Sequence, residues 1–407
     1  MKPFKTTLGR FALSFCLALV SSVAYCQSPS DSTLSLLFIG DIMGHDSQIN
    51  AAYNSRTGTY DYSDVFTYLG PELANADFTL ANLEVTLAGP PYKGYPQFSS
   101  PDVLAADAKA HGIDILVTAN NHSADRRNAG IRRTLAVLDS LNIGHTGTFL
   151  SAQDRKANNL LVMEQNGIRI GLLNYTFSTN GIPVPAPEIV NRIDRDQMKA
   201  DVADALTQNL DKLIVFTHWG REYEHSPHSA EVDLTTYLYD LGVDYVIGAH
   251  PHVLQPMEWD TQQDRLVAYS LGNFVSNQRD PGRDGGTMLR LVLKRKHGEV
   301  RLVEAGYQLI WVYKRYDPKL HFHVIPCSAF EAWPEFFETE GSYAAFLKFT
   351  RDARHLLNTE NLRVPEYRWV AGAWRVPAPF IPPLQPRGGA LSLAPPKIPD
   401  TPLRGRE

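Results

Sequence analysis

The sequence predicts an α/β fold, and two observations carry the prediction. From Leu34 to about Trp311, short β-branched and apolar runs alternate with stretches of helical periodicity, and the polar residues suited to chemistry follow directly on the apolar runs. In α/β sheets the loops at strand C-termini are where sites are assembled.

The first strand is Leu34 to Ile39, running into Gly40-Asp41-Ile42-Met43-Gly44-His45-Asp46. Phe78 to Leu80 is the second and leads into Asn82-Leu83-Glu84. A helical stretch from Asp102 to Ala110 precedes the third, Ile113 to Thr118, which runs into Ala119-Asn120-Asn121-His122. Ile168 to Asn174 is the fourth. Leu213 to Thr217 is the fifth and ends on His218-Trp219-Gly220-Arg221-Glu222-Tyr223. Tyr245 to Gly248 leads into His250-Pro251-His252, and Arg265 to Ser270 into Leu271-Gly272-Asn273-Phe274. Helices are expected near Gly130 to Leu141, Asp196 to Asn209 and Glu231 to Leu241. Alternation along an extended backbone past Gly248 puts His250 and His252 on one side, where both imidazoles reach a common centre.

The segments outside this pattern have other signatures. Lys2, Lys5 and Arg10 precede an apolar stretch from Phe11 to Val20 and small residues at Ser21 to Ala24, the order of a secretory signal. Cleavage after Cys26 is expected, giving an exported protein. Lipidation of Cys26 is the alternative, disfavoured by bulky Tyr25. Cleavage there leaves only Cys327 of the three cysteines, and hence no internal disulfide. The remaining chain of about 380 residues holds one large domain or two ordinary ones. A net charge of −5 with no basic stripe argues against a nucleic-acid partner. The main domain is expected over residues 34–312, a small helical C-terminal appendage over 313–365, and a Pro-rich tail, largely extended or disordered, over 366–407.

Asp41, His45, Glu84, Asn121, His122, His218, His250 and His252 form a donor set of oxygen and imidazole without thiolate, suited to Mn, Fe or Zn. Their number exceeds one tetrahedral site, so two divalent metal ions fit better than one, with Glu84 or Asp41 as the bridge. His122 suits a general acid that protonates a leaving oxygen. Glu222 and Tyr223 either orient His218 or contact substrate, with simple packing the alternative for Tyr223. Asn120 and Asn273 are expected beside the site. Asp125 either polarises His122 or caps the helix beginning near Asn128, the cap being slightly preferred.

In order, Gly40-Asp41, Asn82-Leu83-Glu84, Ala119-Asn120-Asn121-His122, His218-Trp219-Gly220-x-Glu222-Tyr223, Gly248-x-His250-Pro251-His252 and Ser270-Leu271-Gly272-Asn273-Phe274 resemble the segments of the CapA family. These are capsule-synthesis or poly-gamma-glutamate-synthesis proteins, similar to members of the calcineurin-like metallophosphoesterase superfamily. The resemblance implies a four-layer α/β/β/α sandwich and metal-dependent phosphoester chemistry. It also implies metal binding by Asp41, Glu84, Asn121, His218, His250 and His252, with His122 as general acid. The superfamily's first motif is Asp-x-His, whereas Ile42 and Met43 follow Asp41; His45 takes the histidine's place only if its loop bends back. The expected partner is an anionic extracellular polymer or a phosphoester substrate, with membrane synthase subunits as further partners. The alternative is a non-catalytic scaffold or binding subunit of such a synthase.

Overall fold

The computed structural model describes residues 32–370 and 373–375. The expected signal segment, 1–26, and positions 376–407 of the expected tail lie outside the described residues; within the tail's described part Arg368–Val370 pairs antiparallel with Ala373–Arg375, so the tail expected over 366–407 does not begin as unpaired chain. Strands of the two main sheets are, in chain order, β1 Thr33–Ile42, β2 Phe78–Leu83, β3 Ile115–Val117, β4 Gly144–Thr146, β5 Leu161–Gln165, β6 Ile168–Thr176 and β7 Lys212–His218. They continue with β8 Tyr245–Ala249, β9 Met257–Asp260, β10 Arg265–Ala268, β11 Asn273–Val275, β12 Gly285–Lys296, β13 Glu299–Tyr316 and β14 Leu320–Pro326.

One sheet has eight strands in the order β14-β13-β12-β1-β2-β3-β4, with β11 paired to the end of β1. The other has six, in the order β9-β10-β8-β7-β6-β5. In the six-stranded sheet the central strands run parallel and an antiparallel strand lies at each edge; in the larger sheet β1 to β4 run parallel out to one edge, and β12, β13 and β14 continue antiparallel to the other. Parallel neighbours need crossover connections, supplied here by helices.

Side-chain alternation sorts these strands into four layers. On β1, Leu36 and Phe38 point into a core shared with Ile170 and Leu172 of β6, Ile214 and Phe216 of β7, and Ile247 of β8. The two sheets therefore pack face to face, with Phe38 and Phe216 ring centroids 6.4 Å apart. Leu37 and Ile39 point the other way, against Leu104, Ala105 and Ala108 of helix Val103–Ala110 and Leu138 of helix Arg127–Ser140. On the far side of the second sheet, Leu173, Val215 and Val246 meet Met198 and Val202 of helix Arg195–Leu206 and Leu234 and Leu238 of helix Ser229–Leu241. Period-2 strands buried on both faces give this α/β/β/α order.

The expected boundary at residue 312 falls inside β13. Tyr313 to Pro326 continues the larger sheet through β13 and β14 and is not part of a helical appendage. The cause is alternation: Trp311 and Tyr313 bury on the inner face while Ile310 and Val312 bury on the outer, with Lys314 and Arg315 only partly covered. The helical C-terminal element is Glu340–Glu360, whose Phe346, Phe349, Ala353 and Leu357 cover the inner face of β13 beyond the reach of the second sheet. Among the described residues, no helix is long and apolar enough to cross a membrane.

Candidate metal centre

The strand ends converge. Asp41 is in register with Asn82 of β2 and with Asn273 of β11, and His218 at the end of β7 lies beside Ala249 of β8. Two glycines allow this approach, because a Cβ on Gly40 would lie 1.9 Å from Gly272 O and one on Gly248 would lie 2.0 Å from Tyr269 O. Buried Asn174 ties the sheets together nearby, accepting from Ala119 N (2.7 Å) and donating to Phe216 O (3.1 Å).

Seven of the candidate residues meet in one buried cluster. Asp41, Glu84, Asn121, His122, His218, His250 and His252 are each no more than 5% exposed. His252 and His250 arrive by a different route from the one expected. β8 ends at Ala249, and both histidines sit at positive φ (100° and 57° for His250 and His252), so a turn rather than strand alternation aims them. His252 Nδ1 lies 3.1 Å from both Asp41 Oδ2 and Asn273 Oδ1, and its Nε2 lies 3.6 Å from Glu84 Oε1. His218 Nε2 lies 3.0 Å from Asn121 Oδ1 and 3.5 Å from Glu84 Oε1.

Two triads bring ligand atoms within 4.8 Å of one another: Glu84, His250 and His252, and Asp41, Glu84 and His218. The donor chemistry fits a divalent cation. A sharper indication is that Glu84 Oε1 and His250 Nδ1 are buried without a hydrogen-bond partner, a costly state unless a further species engages them. The electrostatics agree. Burial, and then the neighbouring Asp41 carboxylate, push the Glu84 carboxyl well above the usual range. Burial, then the facing imidazoles, hold His218 and His250 well below theirs, so both keep neutral nitrogens.

Residues 35–278 match the family described as bacterial capsule synthesis protein PGA_cap. The chain belongs to this family. It is 28% identical over 270 residues to the capsule biosynthesis protein CapA of Bacillus anthracis, covering 63% of each chain. It is likewise 28% identical over 266 residues to the PGA biosynthesis protein CapA of Bacillus subtilis, covering 61% of this chain and 65% of that one. The matched part thus spans less than two thirds of those relatives' length. Among solved structures, a calcineurin-like phosphoesterase, YfkN of Bacillus subtilis, superposes with a TM-score of 0.44 at 12% identity, over 69% of this chain and 90% of that one.

The remaining candidates take distinct places around the PGA_cap cluster. His122 Nδ1 lies 2.8 Å from Asp125 Oδ2, which also accepts from Phe98 N at 2.7 Å. Asp125 is therefore the partner of His122 and not the expected cap. The helix Arg127–Ser140 has Arg126 at its N-cap and no side-chain cap. Asn120 accepts from His122 N (3.1 Å) and donates to Leu83 O (2.7 Å), so it shapes the loop. His45 stands apart from both triads. It begins the helix Asp46–Ala52, with Nδ1 facing Gln48 Oε1 (3.1 Å) and Asn277 N (3.3 Å), and burial takes it down to about 4. Tyr223 lies beside His252, ring centroids 6.3 Å apart, at φ 70°. Burial, then Glu222, push its hydroxyl up to about 12.

Three residues at the centre were not singled out from the sequence. Asn82 Nδ2 lies 2.7 Å from Asp41 Oδ1, 3.4 Å from Glu84 Oε2 and 3.2 Å from His218 Nδ1. Its place two residues before Glu84 at a strand end was the available signal. Phe177, 40% exposed, covers His250 with ring centroids 4.6 Å apart, and Arg283 stacks its guanidinium 3.4 Å over the Tyr223 ring. Neither carries a local sequence signal.

Proposed function

We propose that this chain is an exported, metal-dependent phosphoester hydrolase that acts on an anionic extracellular polymer or its precursor during capsule or poly-gamma-glutamate-type polymer synthesis. The observation that carries the chemistry is the juxtaposition of free buried ligand atoms, Glu84 Oε1 and His250 Nδ1, with an oriented histidine pair, His122–Asp125. The biological setting is supported by PGA_cap membership and the capsule-synthesis relatives.

A divalent cation bound here, Mn, Fe or Zn by its donors, supplies Lewis-acid polarisation of a phosphoryl oxygen and acidifies a bound water. The chain's own residues do the rest. As the doubly protonated ring, His122 donates an Nδ1–H hydrogen bond to Asp125, which fixes its orientation, and gives its Nε2 proton to the leaving oxygen as the oxygen of water bonds to phosphorus and the ester bond breaks. Phe177 shields the imidazole cluster from solvent on one side. The rival reading, a binding subunit for a membrane synthase, draws support from the hydrogen bonds that engage both oxygens of Asp41.

The test is turnover of bis(p-nitrophenyl) phosphate by the purified chain with and without added Mn2+. Metal-dependent hydrolysis that falls about 10²- to 10⁴-fold in His122→Ala, at unchanged metal content, is the expected result. Absence of turnover with every divalent metal tried refutes the hydrolase reading.

A further inference from the structure

The two triads share Glu84 but differ in what their donor atoms already do. In the Asp41–Glu84–His218 triad the Asn82 amide nitrogen is within hydrogen-bond distance of all three residues, at 2.7 Å, 3.4 Å and 3.2 Å. Its orientation is set by a chain of contacts. Asn120 Oδ1 accepts from His122 N, so its amide nitrogen points at Leu83 O (2.7 Å) and at Asn82 Oδ1 (3.2 Å). With Oδ1 of Asn82 receiving that proton, its NH2 faces the triad. The other Asp41 oxygen is engaged as well, by His252 Nδ1 and, at 3.4 Å, by His250 N. A cation between Asp41 and His218 would meet N–H protons where it needs lone pairs.

The Glu84–His250–His252 triad is the opposite case. Glu84 Oε1 and His250 Nδ1 have no partner. His252 Nδ1 faces two acceptors, Asp41 Oδ2 and Asn273 Oδ1. The Asn273 amide is itself oriented, because its nitrogen reaches His252 O (3.3 Å), Gln278 Oε1 (3.0 Å) and Arg283 O (2.8 Å). The proton of His252 therefore sits on Nδ1, and Nε2 presents a lone pair toward Glu84 Oε1. A carboxylate that takes the far N–H of a ligating histidine is the usual way to fix such a ring.

We propose that the centre binds a single divalent cation, held by Glu84 Oε1, His250 Nδ1 and His252 Nε2, and that the Asn82 amide stands in the place of a second cation. Asp41 is then a positioning residue for His252, not a ligand. This departs from the pair of metals expected from the sequence, and its cause is the donor at position 82. Two histidines and one glutamate leave coordination positions open for water and substrate.

The inference rests on the site being a metal centre but not on its being catalytic, so the readout is stoichiometry. The purified chain is stripped with chelator, titrated with Mn2+, desalted and measured for metal content and by electron paramagnetic resonance. The expected wild-type result is about one Mn2+ per chain with the spectrum of an isolated ion. Asn82→Asp, which replaces the donor by a carboxylate oxygen, is expected to take up about two, with the broadened spectrum of ions coupled through Glu84. Two Mn2+ in the wild type, or one in a folded Asn82→Asp, overturns the inference. Should Asn82→Asp not fold, His252→Ala decides, since retention of full Mn2+ content in it would refute the assigned ligands. One Mn2+ without phosphodiester turnover would sink the hydrolase reading and leave this one standing.

Discussion

Gly248→Ala tests whether close approach of strand ends builds the site. Gly248 is not among the residues at positive φ, so its demand is space and not conformation. A Cβ there would stand 2.0 Å from Tyr269 O and 2.5 Å from Trp219 Nε1, and those two atoms are themselves joined by a 2.9 Å hydrogen bond. One is backbone and the other belongs to a fully buried indole, so neither can swing away. Overpacking of this kind costs about 1–3 kcal/mol. Parting the buried Trp219–Tyr269 bond adds about 1–3 kcal/mol for the orphaned groups. The expected loss is about 2–6 kcal/mol by urea denaturation, with a lowered Tm. The displaced strand end also carries His250 and His252, so Mn2+ affinity is expected to fall at least about tenfold, as for loss of an orienting contact. Gly70→Ala is the control, since nothing lies within 4 Å of its Cβ position. Wild-type stability and wild-type Mn2+ affinity in Gly248→Ala would refute the reasoning.

Two further outcomes are expected. Asp125→Asn leaves the backbone contact with Phe98 a partner but weakens the hold on His122; kcat is expected to drop about 10- to 100-fold, with metal content unchanged and the alkaline limb of the pH–rate profile, which reports the general acid, displaced. A parallel loss of metal would show Asp125 acting through the fold. For pH, burial lowers His45 from 6.5 to about 4. Above pH 6.5 the ring is neutral folded and unfolded, and its full stability is present. As pH falls from 6.5 toward 4 the unfolded chain takes a proton that the native one refuses, and stability is lost. At pH 4.5 the metal-free wild type should have lost about 2–3 kcal/mol more, relative to pH 7, than His45→Asn. Equal losses in urea titrations would exclude His45 as the cause.

The layers of the fold were legible where a strand's residues bury on both faces, because such runs are continuous and end sharply. β1, β7 and β8 are of this kind, and each was placed within about three residues of its observed end. β13 and β14 were not. Lys314 and Arg315 interrupt the apolar run, and Pro326 reads as a breaker although it merely ends an edge strand. The decision there is tertiary: Trp311 and Tyr313 find Phe337 and Phe346 from beyond the sheet, and that contact keeps the strand going.

The site divides along the same line. Residues at or shortly beyond the C-terminal end of a strand, such as Asp41, Glu84, His122 and His218, were legible as candidates because local order delivers them to one rim. Their protonation and hydrogen-bond roles were not, since each depends on a partner far along the chain. Asp125 becomes the partner of His122 because Phe98 N pins its other lone pair, a contact spanning 27 residues. Asn82 becomes a donor to Asp41 because Asn120, 38 residues on, fills its oxygen. Either amide turned over would exchange a proton for a lone pair at the centre. On the single-cation proposal, the number of cations is set by the direction of two amides, a property that residue type and spacing do not encode and that a single Asn82→Asp exchange is expected to reverse.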